Sequence, residues 1–206
     1  MARARLRAAE GSVAASTAAA DHLARCLQDH APETEAECEV ILRSSLAAAH
    51  AKLESLPGPL SELATTLLVC FVDANWLGVA SVGDGAIVLR TKTDSEDTSL
   101  ELIRPDRQSE YLNETDFITL AHGLDCMLVH IRPLDRVTAI AMFTDGVEWA
   151  AIKYRERVPH AAFFNPLFKH AATEGATAGD LDEFLNSPRF CEQTDDDKTL
   201  VLAVLA

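Results

Sequence analysis

Residues 64–90 read ATTLLVCFVDANWLGVASVGDGAIVLR. Short runs of Val, Leu, Ile, Ala and Thr are cut by Asp-Ala-Asn and Gly-Asp-Gly, residues that turn a chain, and this is the grammar of successive strands. It predicts strands near residues 65–72, 76–82 and 85–91. Similar runs place further strands near 99–103, 125–132, 137–143 and 199–205, with the polar stretch from Thr91 to Ser99 as an exposed hairpin tip. Runs such as LLVCFV and VTAIAMF are apolar on both faces. They predict sheets covered on one side by a second sheet and on the other by helices.

Upstream, residues 8–30 are rich in Ala, with Val13, Thr17, Ala20, Leu23 and Leu27 at helical spacing. That spacing predicts an apolar stripe on a helix that stops near Pro32. Thr34 is placed to cap a second helix, whose inner face carries Cys38, Leu42, Leu46, Ala49, Leu53 and Leu56 until Pro57-Gly58-Pro59 ends it. Downstream, residues 147–186 turn helical again, with Leu181, Phe184 and Leu185 on one face of a short helix starting near Asp180. Trp76 and Phe163-Phe164 read as packing residues. The order is helix, helix, many strands, helices, final strand, which is that of an α+β sandwich. No internal repeat and no long linker divides it, so a single domain over residues 1–206 is expected.

Composition narrows the function. With 48% apolar and 24% charged residues the chain is long enough and apolar enough to bury a core. Its 18 basic against 32 acidic residues give a net charge of -14, which repels a phosphate backbone or an anionic membrane and favours metal-bearing ligands. The cysteines (Cys26, Cys38, Cys70, Cys126, Cys191) are odd in number and widely spaced, as in a cytoplasmic protein with reduced thiols. No run approaches a membrane span, and the Arg-rich start lacks the apolar stretch of a secretory signal. Ser81, Ser109 and Ser187 lie in no nucleophile-elbow sequence, and no phosphate-binding glycine loop occurs. The seven histidines show no His-x-x-His spacing and the cysteines no Cys-x-x-Cys, which argues against zinc.

Three strand runs each adjoin an Asp: Ser81-Val82-Gly83-Asp84-Gly85, Phe143-Thr144-Asp145-Gly146, and Thr194-Asp195-Asp196-Asp197-Lys198-Thr199. Any one Asp-Gly taken alone is most often a turn, and an acidic cluster is usually a solvated loop. Carboxylates held at strand ends can, however, converge on hard divalent cations.

The three motifs occur in the order of one known family. Residues 64–90 resemble the protein phosphatase 2C pattern of a TTL strand, a second strand and a Gly-Asp turn. MFTDGVEW resembles its Ser/Thr-Asp-Gly motif, and TDDDKTLVLAVL resembles its Asp-Asn/Asp-x-Thr ending before the last core strand. Glu110-Tyr111-Leu112-Asn113-Glu114-Thr115, Phe163-Phe164-Asn165-Pro166-Leu167-Phe168 and Phe184-Leu185-Asn186-Ser187 are similar to small bacterial members.

The resemblance implies a four-layer α-β-β-α sandwich of two antiparallel sheets flanked by helices. It also implies hydrolysis of phosphoserine or phosphothreonine by a metal-activated water, without a covalent enzyme intermediate. Position by position, Asp145 and Asp196 match the carboxylates for a Mn2+ or Mg2+ pair, and Asp84 matches the carboxylate of a third, weaker metal. Asp195 and Asp197 are alternatives to Asp196, since a shift of one residue in the loop exchanges their roles. No catalytic side chain beyond these metal ligands is assigned.

The chain departs from the pattern at its start. Family members begin with strands carrying a phosphate-binding Arg and an Asp-Gly whose Asp bridges both metals. Here Ala9-Glu10-Gly11-Ser12 matches the segment just downstream, and Arg3, Arg5 and Arg7 stand in a different context. Trp149 occupies a position where many relatives carry a further Asp, beside Glu148. The expectation is an N-terminally truncated domain with an incomplete two-metal site, because closely spaced cations repel by several kcal/mol without a bridging carboxylate. Such a chain would be weakly active or inactive, and self-associating through exposed sheet surface. Its partners are a phosphorylated protein substrate or a regulatory protein. The alternatives are a non-catalytic pseudophosphatase that binds partners or phosphorylated ligands, and an acidic α+β protein whose Asp-Gly turns are only turns.

Overall fold

The computed structural model describes residues 2–95, 97–105 and 115–205, with side chains from Arg7 onward. Most of the Glu110–Thr115 motif therefore lies outside the described residues. Two compact units emerge, Met1–Asp84 with Arg104–Asp135, and Gly85–Ile103 with Arg136–Ala206.

In the first unit, α1 (Ala2–Asp29) and α2 (Glu35–Glu54) pack on a three-stranded antiparallel sheet. Its strands are β1 (Leu67–Val72), β2 (Trp76–Val82) and β5 (Leu128–Pro133), in the order β1-β2-β5. The Asp-Ala-Asn of the opening stretch makes the β1–β2 turn. Asp73 Oδ1 accepts from the amides of Asn75 and Trp76, both at 2.7 Å, an Asx-type closure that sets Val72 opposite Leu77. Leu67, Val69 and Phe71 on β1 meet Cys38, Leu42, Leu46, Ala49 and Leu53 of α2 in one core, which is the face the α2 periodicity predicted.

The stripe expected on α1 holds at Leu23, which is buried, and at Leu27, which packs against the same core, but not nearer the helix start. Val13 is 67% exposed, Thr17 and Ala20 are exposed too, and the buried positions are Gly11, Ala15, Ala19 and Leu23. Small residues at every fourth position let α1 lie close to its neighbours, so size rather than hydrophobicity decides which face turns inward.

The cap of α2 is a full capping box: the Glu37 amide donates to Thr34 Oγ1 at 3.3 Å, and Glu37 Oε2 accepts from the Thr34 amide at 3.2 Å and the Glu33 amide at 2.7 Å. Thr34→Ala should lower unfolding free energy by about 1 kcal/mol in a urea titration; an unchanged midpoint would contradict this role. The Glu33 amide first, then that of Thr34, holds the Glu37 carboxyl below its ordinary value of 4.5. The contribution of the box is therefore complete above that value and is lost as pH falls through the lower folded one. Glu37→Gln should remove that acid dependence.

In the second unit, β3 (Ala86–Lys92) and β4 (Thr98–Ile103) form a hairpin as expected, but its tip is shorter than Thr91–Ser99: Thr91 pairs with Ser99 and Lys92 with Thr98 inside the ladder, and Thr91 is buried. With β6 (Val137–Phe143) and β9 (Leu200–Val204) they make an antiparallel sheet of order β4-β3-β6-β9. Helices α3 (Asp145–Ala151), α4 (Ala161–Ala171), α5 (Ala178–Leu185) and α6 (Pro188–Cys191) supply the rest of its core. Phe164 and Phe168 of α4 are fully buried among Ala86, Val88, Ala139, Ala141 and Phe143.

Residues 147–186, where the pattern turns helical, also hold a two-stranded pair, β7 (Ile152–Lys153) with β8 (Val158–Pro159). Ladders of two residues carry no readable alternation. Each unit thus stacks helices against an antiparallel sheet, the α+β class that the sequence predicts.

Candidate functional site

β6 ends at Phe143, which pairs with both Ala86 at the start of β3 and Leu200 at the start of β9. Beyond these pairs the chain crosses Thr144 into α3, and the acidic segment Asp195–Asp196–Asp197 arrives just before β9. Thr144 ties the two together. Its amide donates to the Thr199 carbonyl at 3.2 Å, its hydroxyl donates to the Asp197 carbonyl at 3.3 Å, and it accepts from the Thr199 amide at 3.0 Å.

Gly146 closes the remaining gap. A Cβ there would stand 2.5 Å from the Asp197 carbonyl oxygen and 3.4 Å from Asp196 Cβ, so only glycine lets the first turn of α3 lie against the acidic segment. Asp145 and Asp196 consequently stand on two backbone segments in direct contact. Asp145 Oδ1 accepts from the Gly146 amide at 2.9 Å. The side chains of residues 145 and 195–197 are exposed. Gly146→Ala should separate the two segments and lower Mn2+ affinity by about tenfold or more; calorimetric titration showing wild-type affinity would mean that the contact is dispensable.

Asp84 belongs to the first unit. It follows β2 in a turn that Gly83 makes at φ +112, a left-handed conformation in which a Cβ would also overlap the Thr66 side chain. The half-buried Asp84 accepts a hydrogen bond from Thr115 Oγ1 at 3.0 Å.

Oxygen donors on Asp145 and Asp196 fit hard cations. Together with other described His, Cys, Asp and Glu they form no group of three ligating atoms within 4.8 Å of one another. Mg2+ is commonly held by one or two carboxylates and keeps several waters, so two carboxylates are a chemically adequate set.

Trp149 is not available to such a site. Its ring packs against Phe190 at a centroid distance of 4.9 Å, and its Nε1 is closed to solvent without a hydrogen bond. Arg7 is committed structurally, donating to the Pro57 carbonyl at 2.7 Å and pairing with Glu62 at 3.4 Å. All five cysteines are free. Burial, followed by the Asp73 carboxylate, pushes the Cys38 thiol up to about 11, and burial pushes Cys70 up to about 12, so both are protonated packing groups at neutral pH. Thr144 and Gly146 are site-forming residues whose roles the sequence reading did not assign; their place beside Asp145 was the available signal.

The fold agrees with comparisons to known proteins. The family profile described as Protein phosphatase 2C matches residues 2–186. A curated relative, Serine/threonine-protein phosphatase 3 of Escherichia coli (strain K12), is 35% identical over 135 residues, 62% of this chain and 50% of that protein. The chain therefore spans about half the length of that relative.

Among solved structures, a serine/threonine phosphatase from Staphylococcus aureus superposes with TM-score 0.54 at 17% identity, covering 92% of this chain and 76% of the other. A serine-threonine phosphatase 2C from Toxoplasma gondii gives TM-score 0.55 at 13% identity, covering 89% and 74%. At such identities the likeness speaks for the fold alone, an α+β sandwich. Because the family profile covers most of the sequence, the chain belongs to the protein phosphatase 2C family.

Proposed function

We propose that this chain carries the carboxylate half of a metal-dependent phosphoprotein serine/threonine phosphatase centre, with Asp145 and Asp196 as ligands of Mn2+ or Mg2+. The observation that supports this most directly is the Gly146 contact, which brings the Asp145 turn against Asp196-Asp197. When bound, such cations supply an activated water and offset charge on the phosphoryl oxygens.

The residues of the chain supply position. Thr144 joins the two ligand-bearing segments through backbone and hydroxyl bonds. Exposure of residues 145 and 195–197 leaves the carboxylates within reach of a phosphate on another protein. In a chain of net charge -14 these carboxylates alone would repel a phosphoester, so binding and turnover should both require the cation. Asp84 is proposed as a ligand of a weaker cation, and the five free cysteines support a cytoplasmic setting.

The test is phosphate release from phosphoserine and phosphothreonine peptides, with Mn2+ and after chelation. Release that depends on Mn2+ is expected; release that survives chelation would contradict the proposal. A second reading is a non-catalytic module that holds phosphorylated ligands. It is favoured by Trp149, which packs on Phe190 at a position where the family resemblance implies a further carboxylate. Mn2+-dependent peptide binding without phosphate release would select it.

A further inference from the structure

A second group of ligating side chains lies in the first unit, on residues 116–127. This segment is a run of hydrogen-bonded turns, with amide-to-carbonyl bonds from Leu120 to Phe117 (3.0 Å), Gly123 to Leu120 (2.9 Å), and Asp125 and Cys126 to His122 (2.9 and 3.2 Å). Ile118 anchors it: the side chain is fully buried and the amide donates to the Thr65 carbonyl at 3.0 Å.

The turn from His122 to Cys126 places two side chains four residues apart on one face. Asp116 faces them. Its Oδ1 lies 3.5 Å from His122 Nε2, and ligating atoms of Asp116, His122 and Cys126 all fall within 4.8 Å of one another. Asp116 is half-buried and the other two are exposed, so a cation can reach all three.

We propose that Asp116, His122 and Cys126 form a mononuclear site for Zn2+ or a similarly borderline cation such as Co2+. One sulfur, one imidazole nitrogen and one carboxylate oxygen make a donor set that tetrahedral zinc accepts. Donors about 2.0–2.3 Å from one centre at tetrahedral angles lie roughly 3.3–3.8 Å apart. The Asp116–His122 pair is already at that separation, and an exposed Cys126 reaches it by a small side-chain adjustment.

The thiolate discriminates against Mg2+ and Mn2+, which prefer oxygen, so this site differs in chemistry from the carboxylate pair at Asp145 and Asp196. Three protein ligands leave a fourth position open to water or another donor, as in zinc sites that exchange ligands. The Asp-x5-His-x3-Cys spacing matches none of the paired motifs by which zinc is usually recognised in a sequence.

The metal-free chain titrated with Co2+ provides the test. Expected are a thiolate-to-cobalt charge-transfer band and d–d bands of four-coordinate intensity, saturating at one equivalent and bleached by Zn2+. Cys126→Ser should remove the charge-transfer band. His122→Ala and Asp116→Asn should weaken Co2+ binding by more than about tenfold, with circular dichroism unchanged. Cys191→Ser and Asp145→Asn should leave the band intact. Absence of the band, its survival in Cys126→Ser, or its loss in Cys191→Ser would overturn the assignment.

Discussion

Replacing Asp145 with asparagine should abolish Mn2+-dependent phosphate release while leaving the thermal melt in place. Asparagine retains an oxygen that can accept from the Gly146 amide, so the turn leading into α3 keeps its 2.9 Å hydrogen bond and loses only a charge. For a cation that binds through carboxylate oxygen, that loss is decisive. Mn2+ affinity should fall by more than the roughly 10–100-fold that follows loss of an outer-shell partner.

The parallel substitutions Asp195→Asn, Asp196→Asn and Asp197→Asn resolve which acidic neighbour acts. Only Asp196→Asn should match Asp145→Asn, and an equal loss at Asp195 instead would move the ligand one residue. Metal-dependent turnover retained in Asp145→Asn would show that the site is assigned wrongly.

The largest stability effect is expected at Phe164. It is fully buried, stacks with Phe168 at 5.9 Å, and meets Phe143 at 5.8 Å and Phe163 at 5.1 Å between ring centroids. Phe164→Ala removes the shared member of all three contacts and should cost about 3–5 kcal/mol. Against a typical total of about 5–15 kcal/mol, the second unit would be close to unfolding at room temperature. Phe184→Leu, at a ring 38% exposed, should cost less than about 1.5 kcal/mol. Urea denaturation of the two variants compares them directly, and a small effect at Phe164 would mean that the aromatic group is not the mechanical centre of this unit.

Strands were legible wherever turn chemistry bounded an apolar run. β2 and β6 fall on the expected residues 76–82 and 137–143, because Asp73, Gly83 and the Thr144-Asp145-Gly146 turn punctuate them. The inner face of α2 was equally legible, since its large apolar residues recur at helical spacing. α1 was legible only at Leu23 and Leu27: in the Ala-rich part of the helix Val13 stands out as apolar, yet contact geometry buries Gly11, Ala15 and Ala19 and leaves Val13 in water.

For the candidate site, the motifs beside strand ends marked Asp84, Asp145 and Asp196. What the sequence could not display was how the segments meet. The Thr144 bonds to Asp197 and Thr199 and the close approach of Gly146 span more than 50 residues and depend on β6 and β9 being neighbours. His122 and Cys126 were hidden for a related reason, because Asp116 joins them from outside any recognised spacing.

That Asp145 and Asp196 act as one cation site is tested most directly by calorimetric Mn2+ titration of the whole chain and of Asp145→Asn, Asp196→Asn and the double variant. Shared coordination predicts that each single change removes most of the affinity and that the second adds little, a strongly non-additive cycle. Mn2+ binding to the double variant as tightly as to the unaltered chain would contradict the account.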